Sequence, residues 1–182
     1  MAKNKAELDR EEKREEILGA ARRLFLETGY ELTSISRIAE EASVAPNTIY
    51  WYFADKDALL VAVLDSLVNH AAREFQQRGR GTLDTQVTWL LSLFDSSRGL
   101  IASVHARASV SEAVGSWHTR FHRTLESALL AWLQAEGVPK EDLGHASRVV
   151  MFVAEGLLAH PTSAKDRRAL LQWLVAAIKR GG

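Results

Sequence analysis

Cysteine is absent, which excludes disulfides, thiolate metal sites and cysteine nucleophiles. Proline occurs 3 times and glycine 11 times in 182 residues, so few positions force a helix to stop. No apolar run approaches the roughly 20 uninterrupted residues of a membrane span, because charged side chains punctuate every one. The opening stretch from Met1 to Glu7 has no apolar segment of the kind a secretory signal needs, which predicts a cytoplasmic chain without a membrane partner. Neither sign of charge is in excess: 23 Lys and Arg face 23 Asp and Glu, so bulk charge neither announces nor forbids a nucleic-acid partner. A Gly-rich phosphate loop, G-x-S-x-G, H-E-x-x-H and an acid pair in a shared site are all missing, and the expectation is a non-enzyme without a cofactor. What is present is 47% hydrophobic and 25% charged residues, enough for a sizeable core in an all-α fold.

The apolar residues recur at helical spacing nearly throughout. Ile17, Leu18, Ala21, Leu24 and Phe25 make one stripe opposite Arg14, Glu15, Arg22 and Arg23. Gly29 stops that helix, since glycine takes the left-handed turn without a Cβ penalty. Thr33 is the expected cap of a short second helix with Ile35, Ile38, Ala39 and Ala42 inward. Ser43-Val44-Ala45 breaks the stripe, and Pro46 suits the first turn of a brief third helix, where its missing N–H costs nothing. Asp55 caps a long fourth helix running to about Gln77. Beyond the Arg78-Gly79-Arg80-Gly81 break, helices are predicted at roughly 82–97, 99–110, 116–136, 140–159 and 164–180. The functional division falls near the start of the fourth helix, giving residues 1–56 and 57–182, although that helix physically joins the two parts.

The segment from Ile35 to Phe53 has the spacing of a helix-turn-helix, whose second helix enters the DNA major groove. Ile49 and Phe53, four apart, turn inward onto Ile38 and Val44. Asn47, Thr48, Tyr50, Trp51 and Tyr52 are then left largely outward. Three consecutive aromatics with an amide and a hydroxyl suit a recognition surface better than a solvated one.

The run Ile17-Leu18, Ala20-Ala21, Leu24-Phe25, Gly29-Tyr30, Thr33-Ser34, Ile38-Ala39, Ala42, Val44, Thr48-Ile49-Tyr50, Tyr52-Phe53, Lys56 and Leu59-Leu60 resembles the N-terminal domain of TetR-type transcriptional regulators. The likeness covers about fifty residues without a gap; the remainder is similar in length, helix rhythm and the stretch from Ala154 to Leu158. It implies a three-helix DNA-binding head, a C-terminal helical bundle for effector binding and dimerisation, and an operator-bound homodimer that a small molecule releases. Thr33 and Ser34 then sit where hydroxyls and N–H groups suit a phosphate, and Ser36 where family members touch a base edge. Pro46, Asn47 and Thr48 form the tip that reaches bases. Asn47 has the two-point geometry for adenine, and Ala45 or the Thr48 methyl suits a thymine methyl. Tyr50, Trp51, Tyr52 and Lys56 match positions that grip the sugar–phosphate backbone. For Trp51, packing against the first helix is an equal alternative. Two departures from the family pattern stand out. Ser43 occupies a turn position that favours glycine, and Ala45 replaces a capping serine, which leaves the start of the recognition helix open by a residue. Residues 1–56 carry nine Lys and Arg against eleven Asp and Glu, so any DNA contact rests on few phosphates.

In the C-terminal part, Trp89, Phe94, His105, Trp117, His118 and Phe121 mix apolar walls with polar groups, as effector cavities do; a packed core uses the same residues. The expected effector is small and mostly apolar or aromatic. Glu155 interrupts an apolar run, either as a rim charge between helices or as a polar group facing a cavity. His118, His122 and Glu126 recur at every fourth residue but lack a fourth ligand, so they read as a solvated face and no metal is expected. The last two helices, apolar from Val149 to Leu158 and from Leu170 to Ile178, predict pairing with a second copy, which sets two heads about 34–36 Å apart. The competing reading is a helical ligand-binding or dimerisation module with a vestigial DNA-binding head.

Overall fold

The computed structural model describes residues 5–78, 81–95, 97–160 and 162–180, without the side chains of Ala6, Phe94 and Asp95. Among the described residues the chain is helical and contains no strand. The order is α1 (Lys5–Glu27), α2 (Ile35–Glu41), α3 (Pro46–Tyr50), α4 (Lys56–Arg78), α5 (Leu83–Asp95), α6 (Arg98–Ala108), α7 (Glu112–Ala135), α8 (Leu143–Ala159) and α9 (Ala164–Arg180). No helix among these residues is long and apolar enough to cross a membrane.

The sequence pattern accounts for the first four helices almost residue by residue. Ile17, Leu18, Ala21, Leu24 and Phe25 of α1 are all buried. Gly29 takes the left-handed conformation, with φ +93°, just beyond the helix end. The cap of α2 lies one residue later than the sequence suggests. Ser34, not Thr33, accepts the Arg37 N–H at 3.1 Å, while Thr33 is 1% exposed and donates its hydroxyl to Gly29 O at 2.7 Å. The extended backbone of Ser34, with ψ 157°, leaves its oxygen free to fold back over the first turn.

At its other end α2 closes with paired bonds, Val44 N–H to Ala39 O at 2.9 Å and Ser43 N–H to Glu40 O at 3.1 Å. This is the Schellman arrangement, which needs a left-handed residue at its turning point. Ser43 supplies it at φ +53°. The end of α7 uses the same pair of bonds, Val138 N–H to Leu133 O and Gly137 N–H to Gln134 O, but there a glycine turns at φ +84°. The α3 helix begins at Pro46, settling the residue left open, and its N-cap Ala45 makes no side-chain cap bond. Trp51 closes α3. Asp55 then caps α4, accepting the Ala58 N–H at 2.7 Å.

The chain divides into two compact units. The first comprises the residues up to Glu74 together with Gly99–His118. Its buried side chains come from α1 to α4, from Leu100 and Val104 of α6, and from Val114 and Trp117 of α7. A side chain at Gly115 would meet the Ala108 carbonyl oxygen at 2.6 Å, so glycine is what lets the start of α7 lie against the end of α6. The second unit comprises Phe75–Arg98 and the residues from Thr119 onward. Leu83, Val87 and Leu91 of α5 pack there with Leu129, Leu133, Val150, Leu157, Leu171 and Leu174. Glu136 ties this unit at one end: it accepts the Leu83 N–H at 2.9 Å and pairs with Lys179.

The Ser43 turn generates a prediction. A left-handed non-glycine residue costs roughly 1 kcal/mol, so Ser43→Gly is expected to stabilise the chain by about that amount in urea unfolding. Ala45→Ser, which restores a capping oxygen, is expected to add about 1 kcal/mol more. No gain from either change contradicts the backbone account.

Candidate nucleic-acid interface

Two apolar anchors decide what the α2–turn–α3 segment presents. Ile49 and Phe53 are buried, as is Ile38 of α2, and Val44 is half-buried. With that face committed, the opposite face of α3 must point outward. Asn47, Tyr50 and Trp51 are exposed, and Thr48 and Tyr52 are half-buried. Trp51 is 82% exposed and Tyr50 52%, which excludes packing of Trp51 against α1. Pro46 and Ala45 flank this tip in solvent, and Ser34 and Ser36 are exposed on α2. Ser34 still has a hydroxyl proton to donate, because its capping role uses only the oxygen. Thr33 does not join this surface; it is buried and its hydroxyl is engaged by the backbone.

The charges of this region are organised locally. Lys13 pairs with Glu16 at 2.5 Å, Arg14 with Glu15 at 3.0 Å, Arg23 with Glu41 at 2.8 Å and Arg37 with Glu40 at 3.1 Å. All are exposed pairs, each worth little to stability, but they offset much of the local acid. Lys56 is held differently. Its Nζ lies 4.0 Å from the centre of the Tyr30 ring, and burial holds its pKa below the ordinary lysine value.

Next to it, Asp57 gathers side-chain contacts from Tyr30, Arg107 and Ser111 that sequence reasoning missed. Its Oδ1 accepts the Tyr30 hydroxyl and the Arg107 Nε, each at 2.5 Å, and its Oδ2 accepts Arg107 Nη2 at 2.6 Å. The Arg107 bonds hold the Asp57 carboxyl below the usual carboxylate range. Burial, reinforced by the bond to Asp57, pushes the Tyr30 phenol well above its ordinary value. Tyr30, beside the left-handed Gly29, was legible as part of a motif; Arg107, fifty positions from Asp57, carried no sequence signal.

A family model described as bacterial regulatory proteins, tetR family, matches residues 17–63, which takes in α2, α3, Tyr30, Lys56 and Asp57 but not Arg107. Residues 17–63 thus match the N-terminal domain of the TetR family. It is 41% identical over 71 residues to the HTH-type transcriptional regulator HbdR of Aromatoleum sp., covering 39% of this chain and 31% of that protein. It is 27% identical over 113 residues to the uncharacterized HTH-type transcriptional regulator YvdT of Bacillus subtilis, covering 58% of it. The matches thus span about a third and three-fifths of the lengths of these two relatives. To the HTH-type transcriptional regulator UidR of Escherichia coli it is 26% identical over 156 residues, 80% of each chain. Among solved structures, a transcriptional regulator from Rhodococcus sp. matches with a TM-score of 0.76 at 18% identity, over 92% of this chain and 96% of that one. Salmonella enterica GusR matches with 0.69 at 25%, over 91% and 93%.

The residues singled out for an effector divide between the two compact units. In the first, Trp117 is buried and donates its indole N–H to Asp65 at 2.7 Å, while the His105 and His118 rings meet edge-on with centres 5.0 Å apart. In the second, Trp89 and Trp132 each lie 5.5 Å from Phe75 between ring centres, and the Arg78 guanidinium sits over Trp89. Phe121 is half-buried. Glu155 is half-buried too, with its Oε1 3.6 Å from His122 Nδ1, so it faces a polar neighbour within its own unit. Phe94 lies outside the described side chains. The expected solvated stripe on α7 is corrected in part: Glu126 is exposed, but His118 and His122 are half-buried.

The lowered Asp57 pKa fixes a sign for acid stability. A depressed carboxylate stabilises the fold above its unfolded pKa, and that contribution is lost as pH falls through the folded value. The unfolding midpoint is therefore expected to fall below about pH 4. Asp57→Asn, which leaves Arg107 unpaired, is expected to cost about 2 kcal/mol at pH 7 and to shrink the acid-induced loss. An unchanged acid limb in that variant contradicts the assignment.

Proposed function

We propose that this chain is a sequence-specific, DNA-binding transcriptional regulator, a cytoplasmic repressor that works as a homodimer and is released by a small, mostly apolar or aromatic effector. The observation that carries the proposal is the outward tip of α3, where an amide and exposed aromatic rings are fixed in place by the burial of Ile49 and Phe53. A solvated helix has no reason to display Trp51 at 82% exposure beside Tyr50. A groove partner supplies one.

Each residue then has a role. Asn47 reads a base edge, adenine being the two-point match, and Thr48 or Ala45 meets a thymine methyl. Ser36 lies within reach of a base edge on the preceding helix. Tyr50, Trp51, Tyr52, Ser34 and Lys56 engage sugar and phosphate, with Pro46 setting the angle of the tip. Residues 1–56 form the DNA-binding part and 57–182 the effector-binding and dimerisation part. The aromatic and histidine side chains Trp89, Phe94, His105, Trp117, His118 and Phe121, with Glu155, are the effector candidates.

The second copy is supported by α8 and α9. Val149 and Phe152 stand one turn apart on α8, Leu170 and Trp173 one turn apart on α9, and all four are exposed, Phe152 at 69% and Trp173 at 64%. Large apolar groups at helical spacing on two consecutive helices are what a four-helix interface between identical chains buries.

Selection of bound duplexes from a random pool supplies the operator, after which Asn47→Ala with Tyr50→Ala is expected to abolish capture while leaving the thermal midpoint unchanged. Unchanged capture sinks the proposal. Affinity is expected to fall steeply with salt, by a slope of roughly −0.9 per neutralised phosphate. Phe152→Asp with Trp173→Asp is expected to convert a sedimenting dimer at micromolar concentration into a monomer; a wild-type monomer there contradicts paired docking.

A further inference from the structure

We propose that Arg107 is a positioning residue for DNA binding: it occupies both oxygens of Asp57 and so keeps the neighbouring Lys56 from being drawn into an ion pair there, leaving its charge for a phosphate. The inference rests on the DNA-binding function proposed above, and it adds a residue far from the helix-turn-helix to the machinery that grips the duplex.

The geometry is that of a filled carboxylate. The guanidinium meets it as a fork, Nε on Oδ1 and Nη2 on Oδ2, and the Tyr30 hydroxyl takes a further site on Oδ1. An arginine fork matches a carboxylate in a way a single ammonium does not. Lys56 precedes Asp57 in the chain, and the two charges act on each other. The Lys56 ammonium stands over the Tyr30 ring at 4.0 Å, a face that attracts a cation without neutralising it. Arg107 also lies over this ring, its Cζ 5.4 Å from the centre. Two cations thus share one aromatic ring; the Asp57 carboxylate beside it is committed to the arginine, and Glu31 is a second carboxylate that acts on Lys56 through space.

The arginine itself is well anchored. It lies at the end of α6, one residue before Ala108, whose carbonyl oxygen is approached so closely by Gly115 that no side chain fits there. The turn between α6 and α7 therefore fixes where the fork points.

If Arg107 is removed, the Asp57 carboxylate is left beside Lys56, and the two neutralise each other. The loss is then electrostatic and reversible. Deleting the carboxylate as well frees Lys56 again, although it does not restore the ion pair. A role in folding alone predicts the opposite, because the double variant has lost as many contacts as the single one.

The test measures affinity of the full-length protein for a duplex selected by the wild type, between 50 and 200 mM salt, for Arg107→Gln, for Arg107→Gln with Asp57→Asn, and for Lys56→Gln alone and in the Arg107→Gln background. Arg107→Gln is expected to weaken binding about eightfold per head at 0.1 M salt and to lower the salt slope by about 0.9 per head. The double variant is expected to recover the wild-type slope. Lys56→Gln is expected to cost that slope in the wild type and nothing further in Arg107→Gln. A wild-type slope in Arg107→Gln overturns the proposal, as does a double variant no better than the single one. Where Arg107→Gln does not fold, the double variant, which leaves neither partner of the Arg107–Asp57 pair charged, decides alone: a slope lowered by one phosphate per head overturns the proposal. Failure of the wild type to select any duplex is a separate outcome and overturns the DNA-binding reading itself.

Discussion

A five-residue helix has no stability of its own, since its nucleus costs more than its few hydrogen bonds return. The α3 helix therefore exists only because Ile49 and Phe53 are buried. This constraint settles everything downstream of it. Once those two side chains face inward, helical spacing leaves no freedom over Asn47, Tyr50 and Trp51, which must face out. Under the proposed function, recognition chemistry is carried by a helix whose orientation is dictated by packing, and the polar tip is free to vary in identity without disturbing the head. A change at Ile49 acts on fold and function together, whereas a change at Trp51 has almost no packing to lose.

The turn that leads into α3 shows the same separation under strain. The closing bonds of α2 oblige Ser43 to adopt a left-handed conformation, as the matching bonds at the end of α7 oblige Gly137. A glycine at 43 and a capping side chain at 45 both favour the turn energetically, and the chain has neither. The small stability forgone here is borne by the buried core of the first unit. The turn is held by its surroundings rather than by its own residues.

Local pattern made most of the fold legible. The α1 stripe, the Gly29 stop, Pro46 at the start of α3 and the Asp55 cap each rest on residues within one or two turns of each other, and such rules act at that range. The cap of α2 was misplaced by one residue because Thr33 and Ser34 are chemically equivalent capping candidates; burial, a tertiary property, separated them. The contacts around Asp57 were illegible for a different reason. Nothing in a sequence links an arginine at 107 to an aspartate at 57 until the end of α6 has been placed. The packing of Trp117 against Asp65 is of the same kind. Short-range chemistry is written in sequence order, while the contacts that tune a site are written in space.

The formal charge of the head illustrates why such contacts matter. A net of −2 over residues 1–56 argues against attraction to a polyanion if charges are merely counted. Counting treats every charge as equally available, and the structure does not. Arg23 and Glu41, or Arg37 and Glu40, cancel at short range and contribute little field at a Debye length. Under the proposed function, the quantity that bears on a phosphate is a cation not tied up in an ion pair. Lys56 is one such charge: the adjacent Asp57 carboxylate is already satisfied by Arg107, although Glu31 also acts on the ammonium through space. A head that is acidic overall is in this way compatible with a cationic grip at one corner, provided that a distant residue keeps the local acid occupied.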